Sequence, residues 1–81
     1  MIELNDGDKT LKSYRESLGY SQEYLASRLG ITRNAYARYE LGHSEPKLSN
    51  FLAMSKELGV SLKTLASSMG YDVDGIPDDS N

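Results

Sequence analysis

The sequence contains no cysteine and only one histidine, His43. Without cysteine neither a disulfide framework nor a thiolate zinc site can form, and one histidine does not build a metal site by itself. The chain also lacks a cysteine nucleophile, and His43 belongs to no recognisable catalytic triad. We therefore expect no metal, no cofactor and no enzymatic activity, and a fold that is stabilised by packing alone.

Long hydrophobic runs are also missing. No stretch approaches the roughly 20 apolar residues that a membrane span needs. The first eight residues are acidic, whereas a signal peptide begins with basic residues followed by apolar ones. We expect a cytoplasmic protein that does not contact membranes. Because a chain of 81 residues has too little apolar material for two cores, we expect one domain.

The formal net charge of -3 is unusual for a protein that binds nucleic acid, but the charge is unevenly distributed. Residues 1–8 and 70–81 hold seven acidic residues and no basic one. Residues 9–69 hold all nine basic residues and five acidic ones, so this segment carries +4. The sequence thus divides into an acidic N-terminal extension (1–8), a basic domain (9–69) and an acidic, flexible C-terminal tail (70–81).

Apolar residues recur every three or four positions in five short segments, which predicts an all-α, five-helix bundle. Asp8 is the expected N-cap of the first helix, which carries Leu11, Tyr14 and Leu18. Ser21, Thr32 and Ser61 are expected to cap the second, third and fifth helices, and Gly30, Gly42 and Gly59 to end the second, third and fourth. The predicted buried stripe of the fourth helix comprises Leu48, Phe51, Leu52, Ser55 and Leu58.

The segment from Ser21 to Gly42 is the most informative part of the chain. Ala26 is small where two helices would cross closely, and Gly30 can accept a positive φ in the turn between them. The spacing from Gln22, with a small residue four positions on and a glycine eight positions on, resembles the lambda-repressor/Cro-like (XRE-type) helix-turn-helix family. The flanking helices resemble this family too, and the resemblance covers roughly residues 9–67.

The resemblance implies that the third helix lies in the major groove of double-stranded DNA and reads base edges with its N-terminal side chains. Arginine suits the paired acceptors of guanine, asparagine suits adenine, and an alanine methyl suits a thymine methyl. The base-reading residues implied are Thr32, Arg33, Asn34, Ala37 and Arg38. The alternative interpretation of these polar residues is an ordinary solvated helix face.

Three further residues are candidates for phosphate contact. Gln22 stands at the start of the second helix, where its amide and free backbone N–H groups suit a phosphate. Lys47 follows the reading helix, and His43 suits a phosphate when it is protonated. Each has the alternative of being a plain surface residue.

The resemblance also implies a buried or half-buried ion pair between Arg15 and Glu40, which would lock the reading helix in place. Glu45 departs from the family pattern, because it lies in a loop that commonly carries lysine or arginine and a carboxylate there would repel phosphate. We then expect a modest affinity for the phosphate backbone of DNA, so that more of the binding free energy comes from base contacts and dimerisation.

One reading helix covers only a few base pairs, so a homodimer on a palindromic operator is expected, and repression is the expected outcome. The predicted dimer contact is the fifth helix with the tail, through Met69, Tyr71, Val73 and Ile76, with Tyr71 to Asp74 as a short intersubunit strand; plain disorder is the alternative for the tail. The rival function is a protein-interaction module, such as an antitoxin-like protein, that binds a protein partner through the tail.

Overall fold

A computed structural model describes residues 9–77 of the chain. Over this range it contains five α-helices and no strand: α1 (Leu11–Ser17), α2 (Gln22–Leu29), α3 (Arg33–Leu41), α4 (Leu48–Leu58) and α5 (Leu62–Ser68). The predicted all-α, five-helix architecture is therefore confirmed. No helix among the described residues is long and apolar enough to cross a membrane.

Local side-chain chemistry fixes where four of the helices begin. The hydroxyls of Ser21, Thr32 and Ser61 each accept a hydrogen bond from the backbone N–H three residues later, as predicted. Helix α1 differs from the prediction, because its N-cap is Thr10, which forms a reciprocal capping box with Ser13. Asp8, the predicted cap, lies outside the described residues.

The helix ends follow the prediction more closely. Gly30 and Gly42 adopt φ values of 71° and 76° as the C-caps of α2 and α3, and Gly59 ends α4 in the same conformation. The left-handed conformation costs a residue with a side chain roughly 1 to 2 kcal/mol, whereas glycine adopts it without this cost. These glycines let the chain reverse direction within a few residues and pack short helices against each other.

The core lies where α2 contacts α3 and α4, and α4 in turn contacts α5. Its buried members are Leu11, Leu25, Ala26, Leu29, Tyr36, Met54, Leu58 and Leu65, and Ile31, Tyr39, Phe51, Ala53, Val60 and Met69 pack against them in part. Ala26 is 1% exposed, as expected for a small residue between closely packed helices.

The predicted stripe of α4 is partly wrong. Leu48 and Leu52 are 71% and 40% exposed, while Met54 is fully buried. Successive residues of an α-helix are about 100° apart, so the inward face centred on Phe51, Met54 and Leu58 turns Leu52 outward. Leu18, which shares the periodicity of Leu11 and Tyr14, is likewise 46% exposed and is the C-cap residue at the end of α1.

Candidate nucleic-acid interface

Helices α2 and α3 form a compact two-helix unit joined by three residues. The left-handed Gly30 starts the turn, and the backbone N–H of Ile31 donates to the carbonyl of Ala26 at 3.0 Å. The half-buried Ile31 packs against the core, and Thr32 then caps α3. This arrangement holds α3 across α2 and leaves the outer face of α3 exposed.

The first residues of α3 present polar side chains to solvent. Thr32, Arg33 and Asn34 are exposed, and Arg38, one turn further along, is exposed as well. Ala37 is half-buried between them. Arg33, Asn34, Ala37 and Arg38 therefore lie along one side of α3 over about its first one and a half turns, and Thr32 lies at its N-terminus.

The hydrogen bonds of these side chains leave most of their donors available. Thr32 uses its oxygen to cap α3, accepting from the Ala35 N–H at 3.1 Å. Arg38 donates from Nη2 to the carbonyl of His43 at a long 3.3 Å. The Arg33 Nε lies 3.7 Å from Glu23 Oε2, and both side chains are more than half exposed, so this ion pair is weak. No hydrogen bond of the Asn34 side chain is found within residues 9–77.

The three candidate phosphate contacts lie in different environments. His43 and Lys47 are exposed in the loop between α3 and α4, and Lys47 is the N-cap residue of α4 without using its side chain to cap it. Gln22 is half-buried, and its amide Nε2 donates to Glu40 Oε1 at 2.9 Å. Its second N–H and its own oxygen are not engaged in that bond.

Arg15 and Glu40 form a two-point ion pair between α1 and α3. Arg15 Nε lies 2.6 Å from Glu40 Oε2, and Nη2 donates to Oε1 at 3.2 Å. The side chains are only 8% and 5% exposed. Arg15 Nη1 also donates to the backbone carbonyl of Tyr20 at 2.8 Å, which joins the pair to the segment between α1 and α2. One buried carboxylate thus links side chains from the first three helices.

The hydrogen bonds of this network shift its pKa values. The bond to Glu40 raises the pKa of Arg15, against the opposing effect of burial. Burial acts to raise the pKa of Glu40, but the hydrogen bonds from Arg15 and Gln22 outweigh it and hold that pKa below its usual value. Both groups are therefore charged at neutral pH, and the pair stays intact.

The hydroxyl of Tyr36 is buried beside this pair and has no hydrogen bond of good geometry to any described residue. Burial, and then the nearby Glu40, raise the pKa of Tyr36 well above its usual value, so the hydroxyl stays neutral. Its ring meets the Tyr39 ring edge-on, with centroids 6.2 Å apart. Tyr36 and Tyr39 therefore pack in the protein and are not available for base stacking.

Known proteins are similar to this chain in both sequence and fold. Residues 11–65, more than half of the chain, match the helix-turn-helix family. The chain belongs to the helix-turn-helix family. The match contains α2 and α3 together with α1, α4 and most of α5, so the family assignment covers the whole core that positions the exposed face of α3.

Several helix-turn-helix relatives are named as regulators. The SPbeta prophage-derived HTH-type transcriptional regulator YonR of Bacillus subtilis is 44% identical over 71 residues, covering 85% of this chain and 66% of the relative. The CTXphi transcriptional repressor RstR of Vibrio cholerae is 30% identical over 64 residues, covering 79% of this chain and 58% of the relative. The chain thus spans less than two thirds of the length of each of these two relatives.

A solved helix-turn-helix structure has the same fold. The DNA-binding domain of the P22 C2 repressor superposes with a TM-score of 0.63 at 25% sequence identity, over 100% of this chain and 96% of that one. The lambda-repressor-like fold predicted from the sequence is therefore confirmed. The named relatives are regulators or repressors and not enzymes, in agreement with the expectation drawn from the sequence.

Sequence reasoning missed two contacts of this helix-turn-helix domain. The hydrogen bond from Gln22 to Glu40 joins residues 18 positions apart, and no sequence pattern indicates it. The second contact is the hydrogen bond that the Tyr71 hydroxyl donates to Glu45 Oε2 at 2.6 Å. The C-terminal segment is thereby attached to the loop that follows α3. Residues 71–77 contain a turn at Asp74 and Gly75 and no helix.

Proposed function

We propose that this chain is a transcriptional repressor that binds a palindromic double-stranded DNA operator as a homodimer and reads the major groove with α3. The observation that carries the proposal is the exposed side of α3, where Arg33, Asn34 and Arg38 keep donors available. The names of the relatives support repression, and the fold supports binding through α3. A major groove is wide enough to admit a single α-helix such as α3.

Base reading is assigned to the side chains on this face. Arg33 and Arg38 suit the N7 and O6 acceptors of guanine, and Asn34 suits adenine. Thr32 keeps a hydroxyl proton to donate while its oxygen caps the helix. Ala37 offers a methyl group in the same row, suited to the methyl group of thymine.

Phosphate contact is assigned to Gln22, His43 and Lys47, which flank the reading helix. Because Glu40 holds one N–H of the Gln22 amide, the amide has a fixed orientation and its second N–H is free for a phosphate oxygen. Of the proposed contacts, Arg33, Arg38 and Lys47 are the permanent cations. A dimer therefore brings six permanent cations against the DNA, counting those assigned to bases as well as those assigned to phosphates. Release of about six counterions gives a log–log salt slope of about -5.

Selection of bound duplexes from random DNA tests the proposal. We expect a palindrome with guanine and adenine at fixed positions in each half-site. Arg38→Ala should lose discrimination at one base pair, by roughly 5- to 150-fold for a contact of about 1 to 3 kcal/mol. Lys12→Ala is the matched control, because it removes the same charge from an exposed position on α1, a helix to which no DNA contact is assigned. Enrichment of no sequence would contradict the proposal.

A protein-interaction module, antitoxin-like in its use of the tail, is the second candidate. It is favoured by one observation, the 41% and 49% exposure of Tyr71 and Ile76 beside the acidic Asp72 and Asp74. Such a partner contact would lack the salt slope of about -5 that phosphate neutralisation produces. Measuring affinity for selected DNA between low and moderate salt therefore separates the two functions.

A further inference from the structure

Three large aliphatic side chains are exposed on either side of the loop that joins α3 to α4. Leu41, the last residue of α3, is 66% exposed, and Leu48, the first residue of α4, is 71% exposed. Leu52 is 40% exposed and lies one turn beyond Leu48, so the two form a continuous apolar strip on the outer face of α4. We call Leu41, Leu48 and Leu52 the leucine patch.

The leucine patch adjoins the proposed DNA surface. The loop between Leu41 and Leu48 contains His43 and Lys47, which are assigned above to phosphate contact. The patch therefore flanks the C-terminal end of the reading helix, on the part of the domain that stays close to DNA. A surface on the opposite side of the domain from α3 would lie farther from the DNA.

The size of the domain decides whether two copies bound to one operator can touch. Its principal-axis extents are 33 × 31 × 25 Å. Half-sites that are one helical turn apart have centres about 34 to 36 Å apart. Two copies that place α3 in consecutive major grooves are thus separated by about one domain width, so the surfaces that face each other are close enough to touch.

From this fit we infer that the leucine patch is where a second copy of the chain docks, an inference that rests on the proposed function. A two-fold contact uses the same residues on both copies. If the two α4 helices cross in opposite directions near Leu52, each Leu52 meets its counterpart. Lys56, exposed four residues further along the same strip, then lies over Leu48 of the other copy, toward the Glu45 there.

This pairing is chemically complementary. The aliphatic stem of Lys56 covers the apolar Leu48, and its ammonium group approaches a carboxylate of opposite charge. The predicted contact through α5 and the tail has fewer apolar side chains that are free to contact a second copy. Met69 packs against the core of its own chain, and the Tyr71 hydroxyl is bonded to its own Glu45. Ile76 is then the main apolar side chain of the tail left for a partner.

The test compares neutral variants, so that no charge is added near DNA. Leu48→Ser with Leu52→Ser removes the strip, Ile76→Ser removes the apolar residue of the tail, and Leu18→Ser is the control for an exposed leucine elsewhere. Thermal unfolding verifies that each variant folds. Each is then titrated against a selected palindrome and against a duplex that holds one half-site.

We expect the wild-type chain, Ile76→Ser and Leu18→Ser to bind the palindrome cooperatively, with coupling of about 5- to 150-fold between half-sites. The double leucine variant should bind the single half-site like the wild type and lose this coupling. Retained coupling in the double variant would overturn the inference, and loss of coupling in Ile76→Ser alone would assign the contact to the tail instead.

Failure of the proposed function is distinguishable from failure of this inference. If the wild-type chain binds no duplex above non-specific affinity, the proposed function is wrong. Sedimentation equilibrium without DNA then decides the inference, since a dimer that dissociates in the double leucine variant supports it. The absence of a wild-type dimer, or one that the leucine substitutions leave intact, overturns it.

Discussion

The Glu40→Ala substitution tests the role of the buried ion pair most directly. It leaves the Arg15 guanidinium in a site where the side chain is only 8% exposed, and it removes the acceptor of the Gln22 amide. Of the Arg15 hydrogen bonds only that to the Tyr20 carbonyl remains. An uncompensated buried charge of this kind costs about 3 to 5 kcal/mol.

That loss is large for a chain of this size. Domains are stabilised by about 0.05 to 0.15 kcal/mol per residue, so the substitution removes a major part of the free energy of unfolding. At about 4 to 8 °C per kcal/mol, the expected decrease in Tm is at least about 12 °C. Urea unfolding and thermal unfolding followed by circular dichroism measure both quantities.

A second Arg–Glu pair provides a matched control. Arg28 on α2 makes two hydrogen bonds to Glu57 on α4, at 3.1 and 3.2 Å, but the side chains are 54% and 22% exposed. Glu57→Ala should therefore cost only about 0.2 to 1 kcal/mol. The reasoning would be refuted if the two glutamate variants had the same Tm, because burial would then not govern the strength of the pair.

The remaining predictions concern the same buried network. The pKa of Glu40 is lower in the folded chain than the value of about 4.3 that an unfolded chain has. The ionised Glu40 therefore contributes its full stabilisation above about pH 4.3, and this stabilisation is lost as the pH falls through the pKa of the folded state. Urea unfolding between pH 7 and pH 3 should accordingly show a steeper acid loss for the wild type than for Glu40→Ala, and parallel curves would contradict this. Tyr36→Phe removes a buried hydroxyl without a good hydrogen bond, so the free energy of unfolding should rise by about 1 kcal/mol; a decrease of more than about 0.5 kcal/mol would mean that the hydroxyl is well bonded.

The local sequence by itself determined the helices and the turn of the helix-turn-helix unit. Hydroxyl caps act over three residues and a left-handed glycine acts within one, so Ser21, Thr32, Gly30 and Gly42 could be assigned correctly without any knowledge of the fold. The spacing of small, apolar and glycine residues between Ser21 and Gly42 was sufficient to indicate the family. These features depend on contacts between neighbours in the chain.

Only the tertiary structure decided which faces of the helices are covered. The periodicity of α4 fits two overlapping stripes, and packing against α2 and α5 selected the one with Met54 inside and Leu48 and Leu52 outside. The hydrogen bonds of Gln22 and Tyr71 also depend on the fold, because they join residues 18 and 26 positions apart. Such contacts form only when several helices are placed together, so one helical pattern read alone does not contain them.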